Sequence, residues 1–139
     1  MCIRDRCISN LTALHLKRYI GSLSAFCGVV CAAAGAGAAV TYLAGGTDAQ
    51  VGSTVVNTIA NVGGIMCDGA KASCAAKIAS AVEAGLLGMQ MYMHDSQFYC
   101  GDGRVAQNVE ETIRAVSAVA REGMRGTDEE IIHIMVHGA

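Results

Sequence analysis

Asn61-Val-Gly-Gly-Ile-Met-Cys67-Asp-Gly-Ala-Lys-Ala-Ser-Cys74-Ala-Ala-Lys-Ile-Ala79 is the stretch that decides how this chain folds. Its glycines favour tight turns, so it interrupts the helical pattern around it. Apolar residues recur at helical spacing over 50–66, where Gly63 and Gly64 end the pattern, and again over 73–92. Ser73 is a candidate N-cap for the second helix. The stretch predicts two helices joined by a bent loop that carries two cysteines.

The C-terminal third also has helical patterns. Residues 109–124 place apolar side chains on one face and charges on the others, which is typical of an exposed amphipathic helix. Thr127-Asp-Glu-Glu130 has the form of a capping box and predicts a last helix over 128–136. Residues 7–17 are mixed, and no segment alternates as a strand would. We predict an all-α fold, a compact multi-helix domain in which small residues allow close helix packing.

Composition narrows the functional classes. The 139 residues are 53% apolar and 16% charged, with no proline and a net charge of −2, so no basic field points to nucleic acid. The uncharged run 19–47 is long enough for a membrane span. Its alanines and glycines are only weakly hydrophobic and its flanking anchors are few, which favours packing inside a protein. We therefore expect neither a nucleic-acid partner nor a membrane span.

The N-terminus and the cysteine count bear on origin and compartment. Residues 1–6 (Met-Cys-Ile-Arg-Asp-Arg) match the translated end of a sequencing adapter, and we expect them to be an artefact. Residues 7–139 would then be the C-terminal part of a longer protein, a fragment of a larger α-rich catalytic domain. The seven cysteines are odd in number and follow no secretory signal pattern. This favours a cytoplasmic protein with reduced thiols.

Three cysteines are candidate ligands: Cys27, Cys67 and Cys74. The spacing between Cys67 and Cys74 is too wide for a zinc knuckle, and each thiol has the alternative role of a small buried hydrophobe. His133 and His137 lie four residues apart and could also ligate, although cationic residues near a helix C-terminus are often placed against the helix dipole. A metal site and a set of structural thiols both remain open from spacing alone.

A family resemblance rests on the residues around Cys27, on Asn61 to Ile78, and on Arg121-Glu-Gly-Met and Thr127-Asp-Glu-Glu-Ile-Ile-His-Ile-Met. Together they resemble the L-cysteine desulfidase family, which is related to the alpha domain of iron–sulfur L-serine dehydratases. The resemblance implies a [4Fe-4S] cluster on Cys27, Cys67 and Cys74, with one iron left open as a Lewis acid. It also implies α,β-elimination of L-cysteine to pyruvate, ammonia and hydrogen sulfide, with L-serine deamination as the related reaction.

The resemblance leaves several roles to test. We expect Lys71 and Ser73 to position the substrate, although Ser73 could instead cap a helix. Cys31 and Cys100 match no ligand position, so we expect core or surface thiols there. The expected partners are an amino-acid substrate and the missing N-terminal portion of the same protein, and a homo-oligomer is compatible with the sequence. The alternative function is a non-catalytic helical interaction or membrane-associated module with buried structural cysteines.

Overall fold

Helices make up nearly all the regular structure of the chain. The computed structural model describes residues 3–21 and 24–138. The α-helices are α1 (Ile3–Ile20), α2 (Gly28–Leu43), α3 (Asp48–Val62), α4 (Cys74–Met93), α5 (Val109–Ala118) and α6 (Arg125–His137). A π-helical segment, Val119–Gly123, lies between α5 and α6. Within these residues the β pairing is a single antiparallel bridge between Phe26 and Met66. The all-α prediction is confirmed.

The central helix is α2, and α1, α3 and α4 all pack against it. A Cβ atom at Gly35 would lie 2.3 Å from the carbonyl oxygen of Ser9 on α1. A Cβ atom at Gly37 would lie 3.1 Å from the carbonyl oxygen of Gly85 on α4. Glycine is the residue that allows backbones to approach this closely. The predicted packing of helices through small residues is therefore confirmed.

Larger side chains fill the space around this contact. The fully buried ones come from α1, α2, α3, α5 and the segment before α2: Leu16, Ile20, Phe26, Val30, Ile59 and Val116. Most buried polar side chains are paired, which avoids a desolvation cost, whereas the hydroxyl of Ser117 is buried without a hydrogen-bond partner among the described residues. The side-chain amide of Asn57 donates to the carbonyl oxygen of Gly88 over 3.0 Å, and its oxygen accepts the backbone N–H of Phe98 over 3.1 Å. Asn57 therefore ties α3 to α4 and to the segment that follows α4.

The two faces of α4 differ in burial. Its small residues are buried against the other helices: Ala81, Ala84, Gly85 and Gly88. Its larger apolar residues form a stripe at helical spacing that is 39–62% exposed: Ile78, Val82, Leu86 and Met93. We call this set the α4 stripe. The last helix, α6, packs mainly on the π-helical segment, and no residue within it is buried.

One predicted helix start was wrong, and another lacks its predicted capping bond. Ser73 occupies the position directly before α4, as predicted, but it has helical backbone angles and its side chain makes no capping hydrogen bond. The capping box at Thr127 does not form, because α6 already begins at Arg125. The backbone N–H of Met124 donates to the carbonyl oxygen of Val119 over 2.9 Å, so the π-helical segment leads the chain directly into α6. The capping box that does form, between Thr47 and Gln50 before α3, was not predicted.

The uncharged run 19–47 is divided between the end of α1, the segment containing Phe26, and α2. Among residues 3–21 and 24–138, no helix combines the length and the hydropathy that a membrane crossing requires. The helix α1 begins at Ile3 and so includes part of segment 1–6, and Asp5 within it is buried. That this segment is an adapter artefact stays a prediction.

Candidate functional site

The β bridge brings two of the three candidate cysteines together. The backbone N–H of Cys27 donates to the carbonyl oxygen of Ile65 over 3.0 Å, and that of Cys67 donates to Ala25 over 2.6 Å. In this antiparallel register, Cys27 and Cys67 are diagonal neighbours on one face of the bridge. Diagonal neighbours are typically about 7–8 Å apart between Cα atoms. Cys27 is buried and Cys67 is half-buried.

The third cysteine, Cys74, is the first residue of α4. The chain reaches it through a short loop in which Gly69 has φ +91°, a conformation that glycine adopts most readily. Its thiol lies 3.6 Å from the carbonyl oxygen of Gly69. Cys27 occupies the N-cap position of α2, so two of the three thiols lie at helix N-termini. The partial positive charge of a helix N-terminus favours anions, including thiolates.

Asp68 holds two lysines at this loop. Its carboxylate forms an ion pair with Lys71 over 2.9 Å and a second ion pair with Lys77. The Lys77 ammonium also donates to the carbonyl oxygen of Met66 over 2.9 Å. The hydrogen bond from Lys77, reinforced by Lys71, holds the pKa of Asp68 well below its ordinary value. Asp68 therefore stays ionised and paired.

Lys77 also connects the loop to the thiols. Its pKa is raised, first by the hydrogen bond to Asp68, and further by the negative charge that Cys27 and Cys74 can carry. Lys77 therefore lies within electrostatic range of Cys27, at the N-cap of α2, and of Cys74, at the start of α4. The sequence analysis did not single out Lys77. Its position three residues after Cys74 was the available signal, because residues i and i+3 share a helix face.

The predicted positioning residues lie at the edge of this loop. Lys71 is about half exposed and is engaged with Asp68. Ser73 is exposed, directly before Cys74, and makes no capping bond to α4. The structure therefore places both side chains beside the loop, and their predicted role in binding substrate stays a prediction.

The other cysteines and the histidines lie elsewhere. Cys31 is one helical turn after Cys27 and is buried, which raises its thiol pKa to about 11. Cys100 is exposed in a turn. His133 and His137 are ring neighbours with centroids 4.9 Å apart on the exposed helix α6. In the described part of the chain, no three His, Cys, Asp or Glu side chains are close enough together to hold a single metal ion.

The helix α6 lies over the outer side of the thiol loop. A cleft of about 270 Å³ separates them, lined by Cys67 and Gly69 on one side and by Ile131, Ile132 and Met135 on the other. A Cβ atom at Gly69 would lie 3.2 Å from the terminal methyl group of Met135, so the two elements are in contact. Cys67 therefore faces a partly enclosed, largely apolar space.

This is an all-α domain with a cysteine-bearing loop, in which thiols and lysines are gathered at the starts of two helices. The family model of the serine dehydratase alpha chain matches residues 2–133, and the chain belongs to that family. This match confirms the predicted relation to a serine dehydratase alpha domain.

The chain is also similar to curated relatives over nearly all of its own length. The chain is 52% identical over 135 residues to a UPF0597 protein of Lachnoclostridium phytofermentans, covering 97% of this chain and 32% of the relative. It is 54% identical over 130 residues to a UPF0597 protein of Desulfitobacterium hafniense, covering 94% and 30%. The chain therefore spans about a third of the length of these relatives. No solved structure matches it.

Proposed function

We propose that this chain is the cluster-binding part of an iron–sulfur lyase that converts L-cysteine to pyruvate, ammonia and hydrogen sulfide by α,β-elimination, with L-serine as a second substrate. Membership of the serine dehydratase alpha chain family supports a lyase. One observation carries the proposal: the β bridge brings Cys27 and Cys67 to one face at the start of the loop that ends at Cys74.

The three thiols suit a [4Fe-4S] cluster better than a single ion. A single zinc ion needs every sulfur at about 2.3 Å, which brings its ligands close together. A four-iron cluster takes one thiolate per iron and therefore spans a wider gap, such as the diagonal of the β bridge. We propose that Cys27, Cys67 and Cys74 hold such a cluster. When bound, it would supply a Lewis acid at the iron that has no protein thiolate.

The surrounding residues would bind and orient the substrate. Lys71 and Ser73 are exposed beside Cys74, where an ammonium group and a hydroxyl can bind a carboxylate. Asp68 is a poor base because Lys77 and Lys71 keep its pKa low. We assign Asp68 and Lys77 to holding the loop. The base that removes the Cα proton would come from the remaining two thirds of the longer protein.

The elimination balances without a redox partner. Removal of the Cα proton and loss of the Cβ sulfur as hydrogen sulfide leave aminoacrylate, which tautomerises to an imine. Water then hydrolyses the imine to pyruvate and ammonia. Loss of hydroxide from L-serine follows the same steps and gives water instead of sulfide. We place this reaction in the cytoplasm, and assembly into a homo-oligomer is compatible with it.

Anaerobic reconstitution with iron and sulfide tests the cluster. The chain should gain the broad absorbance of thiolate-bound clusters together with four irons per chain, as expected for [4Fe-4S]. Cys67→Ser should lose both, whereas Cys100→Ser, which alters an exposed cysteine away from the loop, should keep them. Equal iron content in the two variants would contradict the site.

Cys67→Ser also distinguishes the proposed lyase from the alternative, a non-catalytic helical module with structural cysteines. If the cysteines are only structural, Cys67→Ser should leave iron content unchanged and cost about 1 kcal/mol of stability, a typical value for one substitution. A cluster in the parent chain would justify the second assay, which measures pyruvate released from L-cysteine by the chain joined to the remainder of the longer protein. Absence of pyruvate from a cluster-loaded full-length protein would contradict the lyase.

A further inference from the structure

A second cleft lies beside the thiol site and differs from it in chemistry. It is formed by the end of α1, the π-helical segment and the start of α6, and has a volume of about 380 Å³. This volume lies within the range of about 300–1,000 Å³ that is typical of small-molecule sites. Charged side chains of both signs line it: Arg121, Glu122, Arg125 and Asp128.

The charges in this cleft do not satisfy one another. In the part of the chain that the structure describes, no ion pair joins Arg121, Glu122 or Asp128 to another charged side chain. Arg125 has only a long contact of 3.6 Å with Glu129, and both of those side chains are highly exposed. Arg121, Glu122 and Asp128 thus line one space without an ion pair among the described residues. A ligand that carries both signs of charge would complement them.

The backbone that presents Arg121 and Glu122 is unusual. Both residues belong to the π-helical segment, a rare conformation that occurs mostly as single turns and frequently at functional sites. The Ser24 hydroxyl donates to the carbonyl oxygen of Ala120 over 2.8 Å and so anchors this turn to the segment before α2. The wider turn is therefore held in place by a contact outside its own helix.

The charged cleft adjoins the cleft that contains Cys67. Ser24 and Asp128 line both. A small molecule bound among the charges would therefore lie next to the thiol loop. The lining differs between the two clefts, from charged side chains in the first to apolar ones such as Ile132 and Met135 in the second.

We propose that the charged cleft binds the α-carboxylate and α-ammonium groups of a free amino acid. Arg121 would bind the carboxylate, since a guanidinium group matches it with two parallel hydrogen bonds. Glu122 and Asp128 would bind the ammonium group, and the substrate's β substituent would point toward Cys67. This assignment rests on the proposed function, because it identifies the site at which the proposed lyase would bind its substrate.

Binding of L-alanine tests the proposal without any reaction, because L-alanine has no leaving group. Calorimetric titration should show saturable binding, with at least tenfold weaker binding by Arg121→Gln. Arg114→Gln is the matched control, because Arg114 is an exposed arginine on α5 that does not line the cleft. Propionate, which lacks the ammonium group, should also bind at least tenfold more weakly than L-alanine.

Three results would overturn the site: no saturable L-alanine binding, equal losses in Arg121→Gln and Arg114→Gln, or propionate binding as tight as L-alanine. Titration of the chain before iron and sulfide are added keeps this test separate from that of the cluster, because L-alanine binding is then measured with no cluster present. If L-alanine binds and no cluster forms, the lyase proposal fails and the amino-acid site stands.

Discussion

The ammonium group of Lys77 donates a 2.9 Å hydrogen bond to the backbone carbonyl of Met66. Met66 is the residue that pairs with Phe26 in the β bridge, and Lys77 lies in the first turn of α4. One side chain therefore connects the part of the loop that precedes Asp68 to the helix that begins at Cys74. The relative placement of Cys67 and Cys74 depends on this connection as well as on the peptide chain.

Removal of the Lys77 ammonium should weaken cluster binding. Lys77→Met loses the bonds to Met66 and Asp68, whereas Lys71→Met, the matched control, loses only an exposed ion pair. Residues that orient metal ligands typically contribute about 10–100-fold to metal affinity, so we expect at least a tenfold loss in Lys77→Met. Iron retained against a chelator measures it. Similar retention by both lysine variants would show that Lys77 does not orient the ligands.

Burial of Cys31 should make stability depend on alkaline pH. Its folded pKa of about 11 lies above the ordinary thiol value, so the folded state favours the neutral thiol. The stability that Cys31 contributes is complete below about pH 8.5 and is lost as the pH rises toward 11. A shift of about 2 units corresponds to roughly 2–3 kcal/mol.

Urea unfolding at pH 8 and at pH 10.5 tests this effect in the parent chain, in Cys31→Ala and in Cys100→Ala. The parent chain and Cys100→Ala should lose more stability between the two pH values than Cys31→Ala does. Other groups that titrate between pH 8 and pH 10.5 affect the free energy of unfolding equally in all three proteins, so the comparison between variants cancels their contribution. A pH dependence in Cys31→Ala as steep as in the parent would assign the loss to another group.

Substitution of Gly35 should separate α1 from α2. A Cβ atom there would meet the carbonyl oxygen of Ser9 at 2.3 Å, and a backbone atom cannot move aside as a flexible side chain can. Overpacking of this kind typically costs about 1–3 kcal/mol, so Gly35→Ala should lower the free energy of unfolding by at least that amount. Urea titration followed by circular dichroism measures it.

Gly126→Ala provides the matched control for Gly35. Gly126 lies in α6, and a Cβ atom there would meet nothing within 4 Å. Alanine is favoured over glycine in a helix interior by about 0.5–1 kcal/mol, so this variant should be unchanged or slightly more stable. An equal loss of stability in the two variants would argue against a close α1–α2 contact.

Truncation of Asn57 should release the segment after α4. Asn57→Ala removes a hydrogen bond from the carbonyl of Gly88 and leaves the backbone N–H of Phe98 without its partner, and a buried unpaired group costs about 1–3 kcal/mol. Hydrogen exchange at Phe98 should accelerate together with the loss of stability. Asn61→Ala, an exposed asparagine on the same helix, should change stability by less than about 0.5 kcal/mol. An unchanged exchange rate at Phe98 would show that Asn57 does not hold the segment after α4 in place.

Periodicity predicted the helices whose apolar residues face a core, and failed where neighbours decide the structure. Residues 50–66 and 73–92 agree with α3 and α4 to within a few positions. Residues 7–17 showed no clear pattern and are nevertheless helical, because α1 gains its stability by packing on α2 through contacts such as Ser9 with Gly35. Distant contacts of this kind leave no local signal in the sequence.

The candidate site, like the fold, was only partly predictable from the sequence. Spacing and resemblance brought forward Cys27, Cys67 and Cys74, but the relation between the first two depends on a bridge between residues forty positions apart. Lys77 was missed because its partners, Asp68 and Met66, lie across a loop whose path the sequence does not specify. The capping box at Thr127 failed because the π-helical segment moved the start of α6 upstream.

The α4 stripe also sets how the isolated chain behaves in solution. The exposed aliphatic side chains of the stripe form a hydrophobic patch, and such patches promote aggregation of purified proteins. Samples should therefore become turbid as concentration rises, and a single lysine in place of Leu86 should delay that turbidity. Because Leu86 is three turns away from Cys74 along α4, this change provides a soluble sample in which the thiol loop keeps its native sequence.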